Sequence, residues 1–163
     1  MDLGLRDRVF IVTGGSRGLG FAAAQALVAE GARVVLSAPH EATAAAAVAR
    51  LAGGPTAGAA TWVVADNADP ATPGRLIAAA RDGFGRLDGA LFSVGGTPAG
   101  TVAATPDEAW RSGFESVFLG AVRLARALVA DLGGEREEGG APTPLTGTGA
   151  SMAWVQDRIA RCL

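Results

Sequence analysis

The sequence predicts an α/β fold built on a parallel sheet with helices on both faces. Short, wholly apolar runs alternate with longer segments of helical spacing, in the order β-α-β-α-β-α-β-α. None of the apolar runs shows the in/out alternation of a strand with one wet face, so each reads as a strand covered on both sides. Glycine- and proline-rich turns separate the segments, and an alternation of this kind is the signature of crossover connections between parallel strands.

Arg8 to Thr13 contains the β-branched run Val9-Phe10-Ile11-Val12, which is too short for a helix and ends in a glycine cluster. Gly18 to Glu30 has Leu19, Ala22, Ala23, Ala26 and Leu27 at helical spacing, and Gly31 stands where a helix usually closes. Arg33 to Ser37 is a second buried strand. Glu41 to Leu51 is alanine-rich and helical by propensity, ending before Gly53-Gly54-Pro55. Thr61 to Ala65 is strand three. Asp69 is expected to cap a helix beginning at Pro70, with Leu76, Ile77, Ala80 and Phe84 on its buried side. Leu87 to Ser93 holds strand four, broken by Gly95-Gly96. Thr105-Pro106-Asp107-Glu108 reads as a capping box opening the longest helix, about Pro106 to Leu132, with Trp110, Phe114, Val117, Leu124 and Leu128 among its apolar positions.

The pattern changes after Leu132. The chain divides into a folded domain over residues 1–132, a Gly/Pro/Thr-rich linker over 133–149 and a short tail helix over 150–163. Val155, Ile159 and Leu163 carry the weak helical spacing of that tail, which is expected to dock on the body or on a partner.

Composition closes several functional classes. A formal charge of −2 leaves no basic footprint for nucleic acid or an anionic membrane. No apolar run reaches the roughly 18 residues of a membrane span, and the amino terminus resembles neither a signal nor a transit peptide. The expected location is therefore the cytoplasm. His40 is the only histidine and Cys162 the only cysteine, so neither a multi-histidine nor a cysteine metal site is available. His40 reads as a solvated loop residue or a ribose neighbour, and Trp62 and Trp110 as core or interface. The sequence contains no tyrosine, and all 14 basic residues are arginines. Chemistry that requires a tyrosine or a lysine is closed to this polypeptide.

Thr13-Gly14-Gly15-Ser16-Arg17-Gly18-Leu19-Gly20 lies between the first strand and the first helix. Glycines there permit a tight turn and close backbone approach to a pyrophosphate, and the helix N-terminus offers unpaired N–H groups to an anion. The alternative is a tight turn that binds nothing. The segment resembles the T-G-x-x-x-G-x-G motif of short-chain dehydrogenases/reductases, matched by Thr13, Gly14, Gly18 and Gly20. The resemblance runs from Leu5 to about Leu132. It implies a Rossmann-like, doubly wound sheet of about four strands in the order 3-2-1-4. It also implies that Thr13, Gly14, Ser16, Arg17, Gly18, Leu19, Gly20, Ala38, Asp66, Asn67, Ser93 and Gly95 surround a nicotinamide dinucleotide. Asp66 stands where the family places an acid near the adenine; otherwise it is a solvated turn residue. Ala38 stands where NAD-preferring members carry an acid. With no carboxylate to repel a 2′-phosphate and Arg17 to neutralise it, NADP is favoured over NAD, with an empty, inherited pocket as the remaining alternative.

The resemblance fails in its second half. Both asparagines of the family's strand-four motif are replaced, by Phe92 and Ser93, and the helical Asn position falls on Val117 or Ser116. The catalytic Ser strand and the Tyr-x-x-x-Lys helix do not follow Leu132. The implied protein is a truncated or atypical member that is redox-incompetent alone, acting as a nucleotide-binding or scaffold subunit. Two other readings stay open. One is an enzyme repurposed for non-redox cyclisation, isomerisation or dehydration of a small natural-product-like substrate, with Ser93, Asp66, Glu115 and Ser116 as candidate groups. The other is a frameshifted reductase fragment. Loss of a fifth strand would leave strand four as an open edge, so a homodimer or a complex with another chain is expected.

Overall fold

In a computed structural model, residues 3–52, 58–94 and 99–133 are described. Four parallel strands form one sheet in the order β3-β2-β1-β4, as expected. They are β1 (Val9–Thr13), β2 (Arg33–Ala38), β3 (Ala60–Val64) and β4 (Gly89–Phe92). Between them run α1 (Gly18–Ala29), α2 (Glu41–Leu51) and α3 (Thr72–Phe84). After β4 come α4 (Asp107–Phe114), a π-helical turn over Glu115–Leu119, and α5 (Gly120–Gly133). The linker and tail expected beyond α5 lie outside the described residues, as do Gly95 and Cys162.

The central pair explains the apolar runs. Val9 and Ile11 of β1 and Val35 of β2 face one side, where Leu76 and Ala80 of α3 and Leu124 and Leu128 of α5 cover them. Val12, Val34 and Leu36 face the other side, beneath Phe21, Ala24 and Val28 of α1 and Ala47 and Leu51 of α2. The edge strands are less covered than their composition predicts. Leu91 and Phe92 of β4 are 38% and 40% exposed, because β4 pairs only with β1 among the described residues.

Several local expectations need correction. In α1, Leu19, Ala22 and Ala26 point outward and Phe21, Ala24 and Val28 are buried. That helix is apolar almost all round, so its sequence period could not fix which face turns inward. Its closure at Gly31 is as expected: φ is +84°, Gly31 N–H donates to Val28 and Ala32 N–H to Leu27, both at 3.0 Å. Asp69 does not cap at Pro70. Its Oδ1 accepts from Ala71 N–H at 2.9 Å, forming a turn, and α3 begins only at Thr72.

The expected capping box also fails. Thr105 Oγ1 donates to the Thr101 carbonyl at 2.8 Å, so Pro106 occupies the cap without any side-chain acceptor. The long helix is continuous in direction but interrupted by the π turn, where Gly120 N–H donates to the carbonyl of Glu115, five residues back. Trp110 and Phe114, expected among its apolar contacts, are about half exposed, whereas Leu124 and Leu128 are buried. Trp62 packs against the α1–α2 side of the core.

Candidate functional site

Parallel strands deliver their following loops to one end of the sheet, and there the chain forms a cleft of about 480 Å³. Gly14, Ser16, Arg17, Gly18 and Leu19 line it from the β1–α1 turn. Ser37, Ala38 and Pro39 follow from β2, Ala65, Asp66 and Asn67 from β3, Ser93 and Val94 from β4, and Ser116 from the π turn.

Glycine is required in the first turn for two distinct reasons. Gly14 has φ +57°, and a Cβ on it would stand 2.4 Å from the Ser93 carbonyl oxygen. A Cβ on Gly20 would stand 2.5 Å from the Gly14 carbonyl oxygen. These two glycines let α1 and the end of β4 close on the turn. Thr13 adds to the closure by donating its hydroxyl to the Ser93 carbonyl at 3.1 Å. Gly18, at φ +56°, has nothing within 4 Å of the same hypothetical atom, so its Cα face opens onto the cleft. The cap residue of α1, Arg17, supplies no side-chain acceptor, and the first-turn N–H groups have no side chain to cap them.

The opposite wall is the loop after β3. Asp66 Oδ1 accepts from Ala68 N–H at 2.9 Å, and its main-chain oxygen accepts from Thr72 Oγ1 at 2.6 Å. One carboxylate oxygen of Asp66 is thus engaged in holding its own turn while the residue still borders the cleft. At the end of β2, Ala38 is buried, and β2 itself contributes no carboxylate to the lining. Arg17 lines the cleft and makes no ion pair among the described residues.

The structure therefore brings together Gly14, Ser16, Arg17, Gly18, Leu19, Ala38, Asp66, Asn67, Ser93 and Ser116. Thr13 and Gly20 stand behind this surface as packing elements, and Gly95 lies outside the described residues. Glu115 is absent from the lining: it is ion-paired with Arg123. His40 is also off the cleft; it precedes α2, and its carbonyl accepts from Thr43 Oγ1. Sequence reasoning did not place Ser37, Pro39, Ala65 and Val94 at the site, although each lies within two residues of a strand's carboxyl end. It also missed Gly120 and Arg123, for which no local pattern gave a signal. Among the described residues no group of His, Cys, Asp and Glu is placed to hold a metal ion, and no helix is long and apolar enough to cross a membrane.

Comparison with known proteins agrees with this geometry. A monensin polyketide synthase protein of Streptomyces virginiae, described as a ketoacyl reductase, is 32% identical over 82% of this chain and 51% of its own. An uncharacterized oxidoreductase of Mycobacterium tuberculosis is 39% identical over 62% of this chain and 38% of its own. Among solved structures, L-sorbose reductase from Gluconobacter frateurii, complexed with NADPH and L-sorbose, superposes with a TM-score of 0.72 at 32% identity, over 80% of this chain and 49% of the reductase. A short chain dehydrogenase from Bacillus anthracis shares the fold with a TM-score of 0.74 at 23% identity. The chain thus spans about half the length, or less, of the relatives it matches. The sequence profile of short chain dehydrogenases matches residues 8–141, and the chain belongs to that family.

Proposed function

We propose that the chain is a dinucleotide-binding module that holds NADP(H) in preference to NAD(H) and serves as a binding or scaffold subunit. The observation that carries this reading is the turn after β1. The uncapped N-terminus of α1 opens through Gly18 onto a cleft that holds an arginine without a carboxylate partner. Helix N–H groups and a guanidinium are the donor set that a pyrophosphate and a 2′-phosphate require. The walls at Ala38 and Pro39 bring no negative charge against such a ligand. The NADPH complex of L-sorbose reductase supports the same assignment by likeness.

In this reading the Gly14–Gly20 turn cradles the pyrophosphate, Arg17 meets the 2′-phosphate, and Asp66 and Asn67 border the adenine. A bound nicotinamide supplies a hydride, but hydride transfer to a carbonyl also needs a proton donor with a tuned pKa. These 163 residues include no tyrosine and no lysine, so the family's usual donor pair is not available from them. The module alone does not carry out that reaction. Ser116 does not substitute, because its hydroxyl donates to the Gly113 carbonyl. Glu115 is held by Arg123 and is absent from the lining, and Asp66, the candidate carboxylate that shares the lining with Ser93, has one oxygen engaged by Ala68 N–H, which favours binding over a non-redox enzyme.

A partner is also part of the proposal. Trp110, Phe114 and Phe118 repeat at four-residue spacing and are each about half exposed, and the two phenylalanine rings stack with centroids 5.0 Å apart. With the edge of β4 that is unpaired among the described residues, they offer the apolar surface that a second copy of the chain would cover. Calorimetric titration with NADPH and NADH, combined with sedimentation of the same sample, tests both statements. Saturable binding with NADPH the tighter ligand, on a dimer, is expected. No binding to either nucleotide would overturn the module, and a strict monomer would overturn the pairing.

A further inference from the structure

Both walls at the far side of the cleft converge on one side chain. Arg123, in the first turn of α5, is ion-paired through Nη2 with Glu115 and donates from Nη1 to the Ala68 carbonyl at 3.2 Å. Glu115 opens the π turn, and the next residue, Ser116, lines the cleft. Ala68 follows Asp66 and Asn67, which form the opposing wall. Arg123 is absent from the lining, yet it connects the Ala68 carbonyl and the Glu115 carboxylate, which belong to two segments that reach the cleft.

The backbone beside it leaves no slack. A Cβ on Gly120 would stand 2.3 Å from the Asn67 carbonyl oxygen, so α5 starts directly against the loop after β3. That start is set by the π turn, because Gly120 N–H reaches back to Glu115. Arg123 and Glu115 are 27% and 38% exposed at their side chains, partly withdrawn from solvent, where a charge-assisted hydrogen bond holds geometry better than at a free surface. The loop is pinned from the other side by α3, through Thr72 to the Asp66 carbonyl and Arg75 to the Asp69 carboxylate at 2.9 Å. Two helices thus hold the loop after β3, and the α5 contact also reaches the π turn that carries Ser116.

We infer that Arg123 is a positioning residue that sets the spacing between the Asp66–Asn67 wall and Ser116, and through it the fit of the ligand. The effect on ligand rests on the dinucleotide reading above; the effect on the walls does not. Arg123→Met keeps the apolar stem and removes both polar contacts, and Glu115→Gln removes the ion pair alone. Amide hydrogen exchange on the ligand-free full-length chain is expected to rise about tenfold over residues 65–72 and 114–118 in Arg123→Met, with α2 unchanged. Glu115→Gln should raise the same segments less, and Arg126→Ala, on an exposed neighbour, should raise neither. NADPH affinity should fall about tenfold in Arg123→Met, through the loosened Asp66–Asn67 and Ser116 segments. Faster exchange without any dinucleotide binding in the parent chain would uphold the positioning role and overturn the nucleotide reading. Unchanged exchange in both segments, or a rise spread evenly over the whole chain, would overturn the inference. Should Arg123→Met not fold, the local exchange of Glu115→Gln decides by the same criterion.

Discussion

At the amino ends of the strands Arg8, Arg33 and Arg86 each hold a carboxylate, whereas at the carboxyl ends Arg17 holds none among the described residues. Asp88, in the turn before β4, accepts from Arg86 at 2.6 and 2.8 Å, from Arg8 at 2.8 Å and from Val9 N–H at 2.9 Å. Arg33 pairs with Asp7 at 3.2 Å and lies over the Phe84 ring. The first end is internally neutralised and closes β1 against β4. The second leaves helix N–H groups and a guanidinium facing a cleft. The same fold thus directs polar groups into ion pairs at one end and toward an open cleft at the other.

The sharpest way to break that contrast is within the glycine turn. Gly14→Ala forces a Cβ onto the Ser93 carbonyl and a side chain into the left-handed region, and is expected to destabilise by about 2–4 kcal/mol in denaturant unfolding. Gly18→Ala meets no atom within 4 Å, so only the left-handed backbone resists it, at about 1 kcal/mol. Its methyl enters the cleft, and NADPH binding should weaken at least about tenfold. Equal loss of stability in the two variants would show that the turn is wholly structural.

At the closed end, Asp88→Ala leaves Val9 N–H without its acceptor and two arginines without their carboxylate. A loss of about 2–3 kcal/mol is expected with no change in nucleotide affinity. Partial burial would raise the pKa of Asp88, but the hydrogen bonds from Arg86, Val9 and Arg8 and the charge of Arg86 outweigh it, and the carboxyl lies below its ordinary 3.8. A depressed folded-state pKa adds stability above the unfolded value, lost as the pH falls through the folded one. The difference between the parent chain and Asp88→Asn should therefore be full at neutral pH and shrink below pH 3.8. A difference independent of pH would assign the effect to packing.

How much of this was legible in the sequence follows the same division. The strands and the first-turn glycines could be read because β-branched runs and a T-G-x-x-x-G-x-G spacing are local signals, and the strand order came with the family resemblance that this spacing carries. The two-sided core around Ile11, Val35 and Leu36 follows from them. The cap positions could not be read. Asp69 and Thr105 have the residue types of caps, but their side chains hydrogen-bond within the preceding turns, and sequence alone does not choose between those options. Arg123 was invisible for another reason: its partners, Glu115 and Ala68, stand 8 and 55 residues away, and only the fold brings them together.

At the open end, Arg17→Glu tests whether the unpartnered cation selects the ligand. Reversing the charge should lower NADPH affinity about tenfold or more while leaving NADH nearly unchanged, since only the former carries the 2′-phosphate. Stability should move little, because Arg17 is exposed and makes no ion pair there. A parallel loss for both nucleotides would place Arg17 at the shared pyrophosphate instead.

The smallest expected effect concerns Leu19. The family resemblance placed it among the residues around the dinucleotide, and it is 87% exposed at the first turn of α1, on the lip of the cleft. A leucine that exposed contributes little to folding, so Leu19→Ala should change stability by less than about 0.5 kcal/mol. If the cleft takes a dinucleotide, the ligand covers this side chain and removes apolar area from water on binding. At about 25 cal/mol per Å², partial coverage of such a side chain amounts to about a threefold change in affinity. Leu19→Ala should therefore weaken NADPH binding by about that factor with an unaltered melting temperature. An unchanged affinity would mean that the exposed leucine lies beside the ligand's path. A lowered melting temperature would mean that α1 packs more deeply at its first turn than its burial pattern indicates.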